Sequence, residues 1–287
     1  MKILNKIAKI FLILGLIIVI VLLIFADLAT STVLNKEYVI SHFEKTSYYE
    51  NIKKEIQSNF DNYIEQSGFD ENVMNNIVSE EKIKNDTEII ISNIYDGTST
   101  KIDTTEIEQN LRNNIEESLG TNNLNTTQRN AINQYVETIC SQYKKVMSHT
   151  DYEKNINSIM TKLKKTLETA KKVGAGLMVF AIILLLIFDY KNIIKIGPQI
   201  GISLMSSGLL YIIANFFVNS KIKVSDILIL NSAVSDVLKS IILDILNTCL
   251  KTGIVFLILG IVFIVGANLV DTLIKNKHKK AITKNEK

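Results

Sequence analysis

The sequence predicts an all-α fold: a four-helix transmembrane region with a large all-helical extracytoplasmic domain inserted between the first and second spans. Three observations predict it. The apolar residues, 47% of the chain, are concentrated in four long uncharged runs. Between the first two runs, apolar residues recur at every third or fourth position, which is the spacing of amphipathic helices. Proline interrupts helices, and the chain contains a single Pro, so long uninterrupted helices are expected.

The four apolar runs cover residues 10–26, 173–188, 196–218 and 252–270. A helix needs roughly 20 residues to cross a bilayer, and flanking Lys171, Lys172 and Tyr190 extend the short second run. These runs divide the chain into five segments: a cytoplasmic N-terminus with transmembrane helix 1 (1–34), the extracytoplasmic helical domain (35–172), transmembrane helices 2 and 3 (173–218), a second extracytoplasmic segment with an amphipathic helix (219–251), and transmembrane helix 4 with a basic cytoplasmic tail (252–287).

The first apolar run could also be a secretory signal peptide. Three lysines precede it, and Ala29-Thr30-Ser31 is a possible cleavage site. However, the run is longer than the roughly 7–15 apolar residues of a signal peptide. We therefore expect an uncleaved membrane anchor.

Basic residues collect on one side of the predicted bilayer. Lysines precede the first run, Lys191 and Lys195 join the second run to the third, and six lysines follow the fourth. Short cytoplasmic segments carry such an excess of Lys and Arg. We therefore expect a multi-pass cell-membrane protein with both termini in the cytoplasm and residues 35–172 outside.

The predicted outer domain contains a series of short amphipathic helices. The first starts at a capping-box pattern, Ser47-Tyr48-Tyr49-Glu50, and ends at Gly68. Asp70 is expected to cap a short helix, and the next helix is predicted over residues 80–96. The following stripe consists of Ile107, Leu111, Ile115 and Leu119, and it ends at Gly120.

Two further apolar stripes predict a coiled-coil hairpin. They consist of Ile132, Val136, Ile139, Tyr143 and Val146, and of Tyr152, Ile156, Ile159, Leu163 and Leu167. Spacings that alternate between three and four are typical of a coiled-coil seam. Ser148-His149-Thr150-Asp151 interrupts the pattern between the two arms. The second arm meets no helix-breaking residue before Gly174, so we expect it to continue into the second span.

The polar stretch IYDGTSTKIDTTEIEQN, residues 94–110, is the strongest candidate for a ligand-binding loop. An EF-hand requires oxygen ligands at fixed positions and a Gly at the sixth, whereas Gly97 comes too early and Lys101 interrupts the acids. Asp103 with Glu106, or Thr105 with Glu108, instead forms a helix N-terminal pattern. The stretch is therefore predicted to be a corner between two helices.

The sequence singles out no catalytic, cofactor-binding or metal-binding residue. His42, His149 and His278 do not have the spacing of metal ligands, and no nucleotide-binding or nucleophile-elbow motif is present. Cys140 and Cys249 could form a disulfide, but their predicted separation exceeds the reach of one, so two free thiols are expected. We predict a protein that is not an enzyme and needs no cofactor.

Charge and small residues indicate the partners. The outer domain is mildly acidic, which disfavours nucleic acid, while the lysines from Lys162 to Lys172 would meet lipid headgroups. The lipid bilayer is the first expected partner. Ser203, Ser207, Gly253, Gly260 and Gly266 suit close packing of the third and fourth spans, within the bundle or in a homo-oligomer. Within the segment of residues 219–251, an amphipathic helix from Ser232 is expected to rest on the outer leaflet or to dock on the outer domain.

Residues 43–119 resemble uncharacterised multi-pass membrane proteins of Gram-positive bacteria. The resemblance rests on Tyr48-Tyr49, Phe60, Gly68, Val73, Ile77, Ile83 and IYDGTSTKID, and it implies no activity or site residue. The predicted topology also resembles that of permease-like subunits that pass force from a cytoplasmic ATPase to the envelope. Those subunits usually contain β-structure in their outer domains, whereas this chain is predicted to be all-α.

Three functions are compatible with these observations. The first is a non-enzymatic envelope protein whose outer helical domain binds a partner or senses a ligand. The second is a transmembrane transmitter or transport-system subunit that works with a cytoplasmic ATPase. The third is a membrane-bound envelope enzyme. The first is favoured because it requires only the amphipathic helices that the sequence predicts.

Overall fold

The computed structural model describes residues 2–120, 125–147, 150–221 and 232–285. Within these ranges the chain forms nine α-helices and no β-strand, which confirms the all-α prediction. In chain order the helices are α1 (Lys2–Ser31), α2 (Lys36–Lys45), α3 (Tyr48–Ser67), α4 (Glu80–Asp96), α5 (Thr105–Leu119), α6 (Thr126–Met147), α7 (Thr150–Phe188), α8 (Ile196–Lys221) and α9 (Ser232–Asn285). Short 3-10 helices cover Glu71–Met74 and Ile193–Lys195.

The described residues form two compact units. The membrane unit contains residues 2–34, 164–221 and 241–285, and the helical unit contains residues 35–163 and 232–240. Four segments in the described residues are long and apolar enough to cross a membrane: Asn5–Ser31, Ile156–Phe188, Ile193–Lys221 and Ser232–Lys277. Their number agrees with the sequence prediction, and they indicate a membrane-embedded protein.

Two long helices are continuous where the sequence suggests separate elements. As predicted, α7 continues through Gly174 without a break. The amphipathic pattern that starts at Ser232 and the fourth span, predicted separately, form the single helix α9. Residues 232–240 belong to the helical unit, with Ala233 and Val237 buried, so this part of the amphipathic segment docks on the helical unit. The rest of that segment includes residues 222–231, which lie outside the described residues.

The core of the helical unit consists of the predicted apolar stripes of α3 to α6. Its largest buried residues include Ile56, Phe60, Ile83, Ile107, Leu111, Ile115 and Ile139. Leu119, predicted to face inward, is instead exposed because it is the last residue of α5. Burial of the other side chains is the main favourable term that holds these short helices together.

Glycines end three of these helices, as the sequence predicts. Gly68, Gly97 and Gly120 follow α3, α4 and α5 with positive φ angles of 73°, 75° and 61°. This left-handed conformation is the usual helix C-terminus, and glycine adopts it without strain. Asp70 caps the 3-10 helix Glu71–Met74 by accepting a hydrogen bond from the backbone N–H of Asn72.

Two predicted helix starts differ in detail. Ser47 precedes α3 but makes no side-chain capping hydrogen bond, so the predicted capping box does not form. Glu50 is instead paired with Lys54 one turn later, at 2.6 Å. At α5 the N-cap is Thr104, and the Asp103 carboxylate accepts a hydrogen bond from the backbone N–H of Thr105 at 2.9 Å.

The predicted coiled-coil hairpin is wrong in its pairing. The stripe of α6 is buried in the helical unit, where α6 packs against α3 and α5. The stripe of α7 remains exposed at Ile156, Ile159 and Leu163. Both stripes have coiled-coil spacing, but the spacing does not specify which helix buries each of them. Residues 148–149, at the predicted tip, lie outside the described residues.

Candidate functional site

The corner between α4 and α5 holds α7 in place. Asn157 of α7 donates hydrogen bonds from Nδ2 to the carbonyl oxygens of Ile94 and Tyr95, at 2.8 and 3.3 Å. These carbonyls belong to the last turn of α4, and carbonyl groups in a last turn have no hydrogen-bond donor within their own helix. A Cβ on Gly97 would lie 2.9 Å from Oδ1 of Asn157, so a larger residue would displace the Asn157 side chain. The φ angle of 75° also favours glycine at this position. The stretch of residues 94–110 is thus a structural corner, as predicted.

The opposite side of α7 presents an exposed apolar face. Ile156, Ile159 and Leu163 are 39%, 64% and 42% exposed. At 3.6 residues per turn, these side chains point between about 100° and 160° away from Asn157 around the helix axis. We call these three residues the α7 face. Because Asn157 fixes one side of the helix on α4, the α7 face is directed away from the helical unit.

Lysines dominate the sequence around and beyond the α7 face. Residues 156–172 contain Lys162, Lys164, Lys165, Lys171 and Lys172 and one acid, Glu168. An exposed apolar surface with charged residues beside it is typical of a protein-interaction site. The positive charge here favours an acidic partner.

A second polar site lies inside the helical unit. The Lys82 ammonium is 2.6 Å from both carboxylate oxygens of Asp86, and the Tyr143 hydroxyl donates to Oδ2 of Asp86 at 2.6 Å. The Lys82 and Asp86 side chains are only 11% and 5% exposed. Lys82 Nζ also lies 5.8 Å from the centre of the Tyr143 ring, within cation–π range. We call these three residues the buried triad.

The geometry of the buried triad favours a structural role. Burial and the neighbouring Asp86 carboxylate raise the pKa of Tyr143, so its hydroxyl stays protonated and remains a hydrogen-bond donor. Each charged group is paired and hydrogen-bonded, which a buried ion pair requires. The triad joins α4 to α6 and lies within the packed interior of the unit.

Among the histidines and cysteines singled out in the sequence, the structure describes the side chains of His42, Cys140 and Cys249, and these form no common site. His42 is buried, with Nδ1 2.9 Å from the carbonyl oxygen of Tyr38. Cys140 and Cys249 are both free thiols, as predicted, and burial raises the pKa of Cys140. His149 and the side chain of His278 lie outside the described residues. Among the residues that the structure describes, no cluster of three His, Cys, Asp or Glu side chains has the arrangement of a metal site.

Ion pairs join α1 and α7 at both ends of the membrane unit. Lys9 Nζ is 2.6 Å from Oδ1 of Asp189, and Lys171 Nζ is 2.9 Å from Oδ1 of Asp27. The two pairs show that α1 and α7 run antiparallel. Lys9 and Asp27 of α1 are 18 positions apart, as are Lys171 of α7 and Asp189, which directly follows α7. Eighteen helical positions correspond to about 27 Å. This distance is close to the roughly 30 Å thickness of a bilayer's hydrocarbon core.

The ion pair of Asp189 is the more enclosed of the two. Asp189 is 7% exposed and also accepts a hydrogen bond from Nε2 of Gln199 at 2.7 Å. Burial by itself raises the pKa of Asp189, but the hydrogen bonds from Lys9 and Gln199 outweigh it and hold the pKa below its usual value. The carboxylate therefore stays charged and ties the end of α7 to α1 and α8.

Small and polar residues of α8 pack against its neighbours. Gly201 and Gly260 approach so closely that a Cβ on Gly260 would lie 2.6 Å from the carbonyl oxygen of Gly201. Gly201, Gly208, Gly253 and Gly260 thus pack α8 and α9 together, one of the two predicted alternatives, whereas Gly266, also predicted to pack, has open space around it. On α8, Tyr211 donates a hydrogen bond to the carbonyl of Val21, and Asn215 donates to that of Leu246.

Several residues of these sites are missed by reading the sequence. Asp86 and Tyr143 lie 57 positions apart, and no local pattern connects them. Asp189 and Asn215 carry a weak signal, because each is a polar residue within or next to a long apolar segment. Asn157 carries no sequence signal of its role, since a polar residue beside an apolar stripe is ordinary in an amphipathic helix.

Comparison with protein-family models, with curated proteins and with solved structures finds no match to this chain.

Proposed function

We propose that this chain is a cell-membrane protein that binds a protein partner through the α7 face. In this proposal both termini lie in the cytoplasm and the helical unit lies outside the cell. The lysine-rich segments at the start of α1, between α7 and α8 and at the end of α9 support this orientation. Partner binding, rather than catalysis, is its function.

The exposure of the α7 face is the observation that carries the proposal. Although the candidate span begins at Ile156, the uncharged apolar run starts only at residue 173, so in this proposal the α7 face lies outside the bilayer. An exposed apolar stripe there remains in contact with water unless a partner covers it. Asn157 joins α7 to the end of α4 through hydrogen bonds, which reduces the conformational freedom that α7 loses when a partner binds. Ile156, Ile159 and Leu163 have spacings of three and four, which match an apolar stripe on a second helix.

The charge around the α7 face restricts the partner. Lys162, Lys164 and Lys165, which flank Leu163 of the α7 face, are complementary to a helix with Asp and Glu beside its apolar stripe. A second copy of α7 would bring two lysine-rich segments together, and this repulsion opposes self-association through the α7 face. We therefore propose a different protein as the occupant. A homo-oligomer through α8 and α9 is a separate proposal.

Site-specific photocrosslinking in intact cells tests the proposal. A photoreactive amino acid at Leu163 is expected to crosslink to one protein, and the crosslinked peptide is expected to be an amphipathic helix with acidic residues. Ile159→Asp should abolish this crosslink, because a charge would be buried on binding. Thr161→Asp is the matched control, since Thr161 is exposed outside the α7 face, and the crosslink should persist.

Two outcomes would contradict the proposal. One is a crosslink to lipid alone, which would assign the lysines and the α7 face to the membrane surface. The other is a protein crosslink that Ile159→Asp and Thr161→Asp weaken equally, which would mean that charge rather than the apolar face determines binding. Circular dichroism of both variants establishes that the helical unit is folded.

A further inference from the structure

An open groove in the membrane unit lies between α1, α7 and α9. It encloses a cavity of about 430 Å³, which is within the range of small-molecule sites. Leu23, Leu28 and Phe256 form much of its apolar wall, and Asp27, Lys171 and Thr252 contribute its polar groups. The groove thus combines an apolar surface with a charged end.

The charged end lies where an apolar run meets polar sequence. Asp27 directly follows the apolar run 10–26, and Lys171 precedes the run 173–188 by two positions. In a membrane-embedded protein this is the depth of the lipid headgroups. The apolar wall extends from there toward the hydrocarbon core. A lipid in either leaflet has the same arrangement, with a polar group at the interface and acyl chains below it.

The Asp27–Lys171 pair retains capacity for further hydrogen bonds. Lys171 Nζ donates to Oδ1 of Asp27 and to Oγ1 of Thr30. An ammonium has three donors and a carboxylate accepts about four hydrogen bonds. One donor of Lys171 and most of the acceptor capacity of Asp27 are not used by these two contacts. The Asp27 side chain is 76% exposed, so a ligand can reach it.

We propose that this groove binds a zwitterionic glycerophospholipid whose headgroup ends in a primary ammonium. The phosphate accepts a hydrogen bond from Lys171, the ammonium donates to Asp27, and one acyl chain lies along Leu23 and Phe256. A lipid with only negative charge fits less well, because the Asp27 carboxylate repels it. A quaternary ammonium fits less well because it has no N–H to donate to Asp27.

Fluorescence quenching by brominated lipids tests this proposal. The chain has no Trp, so Phe256→Trp places a single reporter in the groove. Val255→Trp is the matched control, because Val255 is the adjacent residue of α9 and is 51% exposed outside the groove lining. Each full-length variant is reconstituted in phosphatidylcholine vesicles that contain brominated phosphatidylethanolamine, phosphatidylcholine or phosphatidylglycerol at equal mole fraction.

The expected result is a preference confined to the groove reporter. At Phe256→Trp, the binding constant for phosphatidylethanolamine should be about threefold above those for the other two lipids, the size expected of an exposed ionic contact. At Val255→Trp the three lipids should quench equally. Adding Asp27→Asn or Lys171→Gln to Phe256→Trp should remove the preference.

The comparison among headgroups is made within one folded variant, so it does not depend on the stability of another. Equal quenching by all three lipids at Phe256→Trp would overturn the proposal. A preference for phosphatidylglycerol would also overturn it, because it would assign the site to anionic lipids through Lys171 alone. A phosphatidylethanolamine preference that remains in both Asp27→Asn and Lys171→Gln would show that the preference does not depend on these two side chains. That result would refute the proposed headgroup contacts.

Discussion

Removing the Tyr143 hydroxyl should destabilise the helical unit through the buried triad. In Tyr143→Phe, Asp86 loses a hydrogen bond of 2.6 Å but keeps its ion pair with Lys82. Hydrogen bonds to charged groups contribute about 1.5–3 kcal/mol, so we expect a loss of about 2 kcal/mol. Asp86→Ala should cost more, about 3–5 kcal/mol, because it leaves the Lys82 ammonium buried without its partner.

Replacement of the whole ion pair provides the sharper comparison. The double variant Lys82→Met/Asp86→Leu removes both charges and fills a similar volume with apolar atoms. Such replacements of buried ion pairs are often neutral or stabilising. We therefore expect the double variant to be more stable than Asp86→Ala, although it carries an additional substitution.

Thiol reactivity of Cys140 measures these changes in the full-length protein. Cys140 lies three residues before Tyr143 in α6 and is 7% exposed, so a thiol reagent reaches it only when the helical unit opens. Cys249→Ser removes the other thiol. The opening free energy follows from the rate of labelling relative to that of the unfolded chain. The reasoning is refuted if Tyr143→Phe labels at the same rate as the parent protein, or if the double variant opens more readily than Asp86→Ala.

Three further predictions follow from the packing and the ionisable groups. Gly260→Ala should destabilise the detergent-solubilised protein by about 1–3 kcal/mol and lower its melting temperature, because its Cβ meets the backbone of Gly201. Gly266→Ala, with open space around its Cβ, should leave the melting temperature unchanged. Equal melting temperatures of the two variants would contradict the close contact at Gly260. Asp189→Asn should lower the free energy of unfolding by about 2 kcal/mol. This loss is smaller than the loss on breaking a fully buried ion pair, because the Lys9 side chain is partly exposed. Since the pKa of Asp189 is lowered, the difference in stability between the parent protein and Asp189→Asn should be present above about pH 4 and should disappear as pH falls through the lowered pKa. A stability difference that persists in acid would exclude the carboxylate charge as its cause. Burial raises the pKa of Tyr48 from 10 to about 12. The stability that neutral Tyr48 contributes should therefore be complete below pH 10, and the free energy of unfolding should fall by about 1.4 kcal/mol per pH unit between pH 10 and 12. In denaturant titrations over this range, the free energy of unfolding of Tyr48→Phe should fall less steeply with pH, and the same dependence in both proteins would contradict the assignment.

The helices that the sequence predicts well are those whose limits are set locally. The ends of α4 are predicted correctly because its apolar stripe stops at Gly97, a residue that adopts the left-handed helix end without strain. The four spans are likewise set by local composition, since a long uncharged run has few alternatives to crossing a bilayer. The free thiols of Cys140 and Cys249 follow from their separation along the predicted helices.

The features that the sequence does not predict depend on contacts between distant residues. The spacing of Ile132, Val136 and Ile159 identifies apolar faces but not the helix that covers each one, so the exposure of the α7 face appears only in the structure. Asp86 is one of many acids on amphipathic helices, and only folding of the helical unit buries it and brings the Tyr143 hydroxyl of α6 to its carboxylate. The groove beside Lys171 requires three helices that are far apart in the chain.

Cysteine accessibility in intact cells tests the central claim, that the α7 face lies outside the membrane on the side opposite the termini. In a chain without Cys140 and Cys249, a single cysteine is placed at Thr161, beside the α7 face but outside it, or at Lys191; both are exposed and lie on opposite sides of the apolar run 173–188. A membrane-impermeant maleimide should label Thr161→Cys in intact cells and Lys191→Cys only after permeabilisation. Labelling of Lys191→Cys in intact cells, with Thr161→Cys protected, would contradict both the orientation and the partner-binding proposal that depends on it.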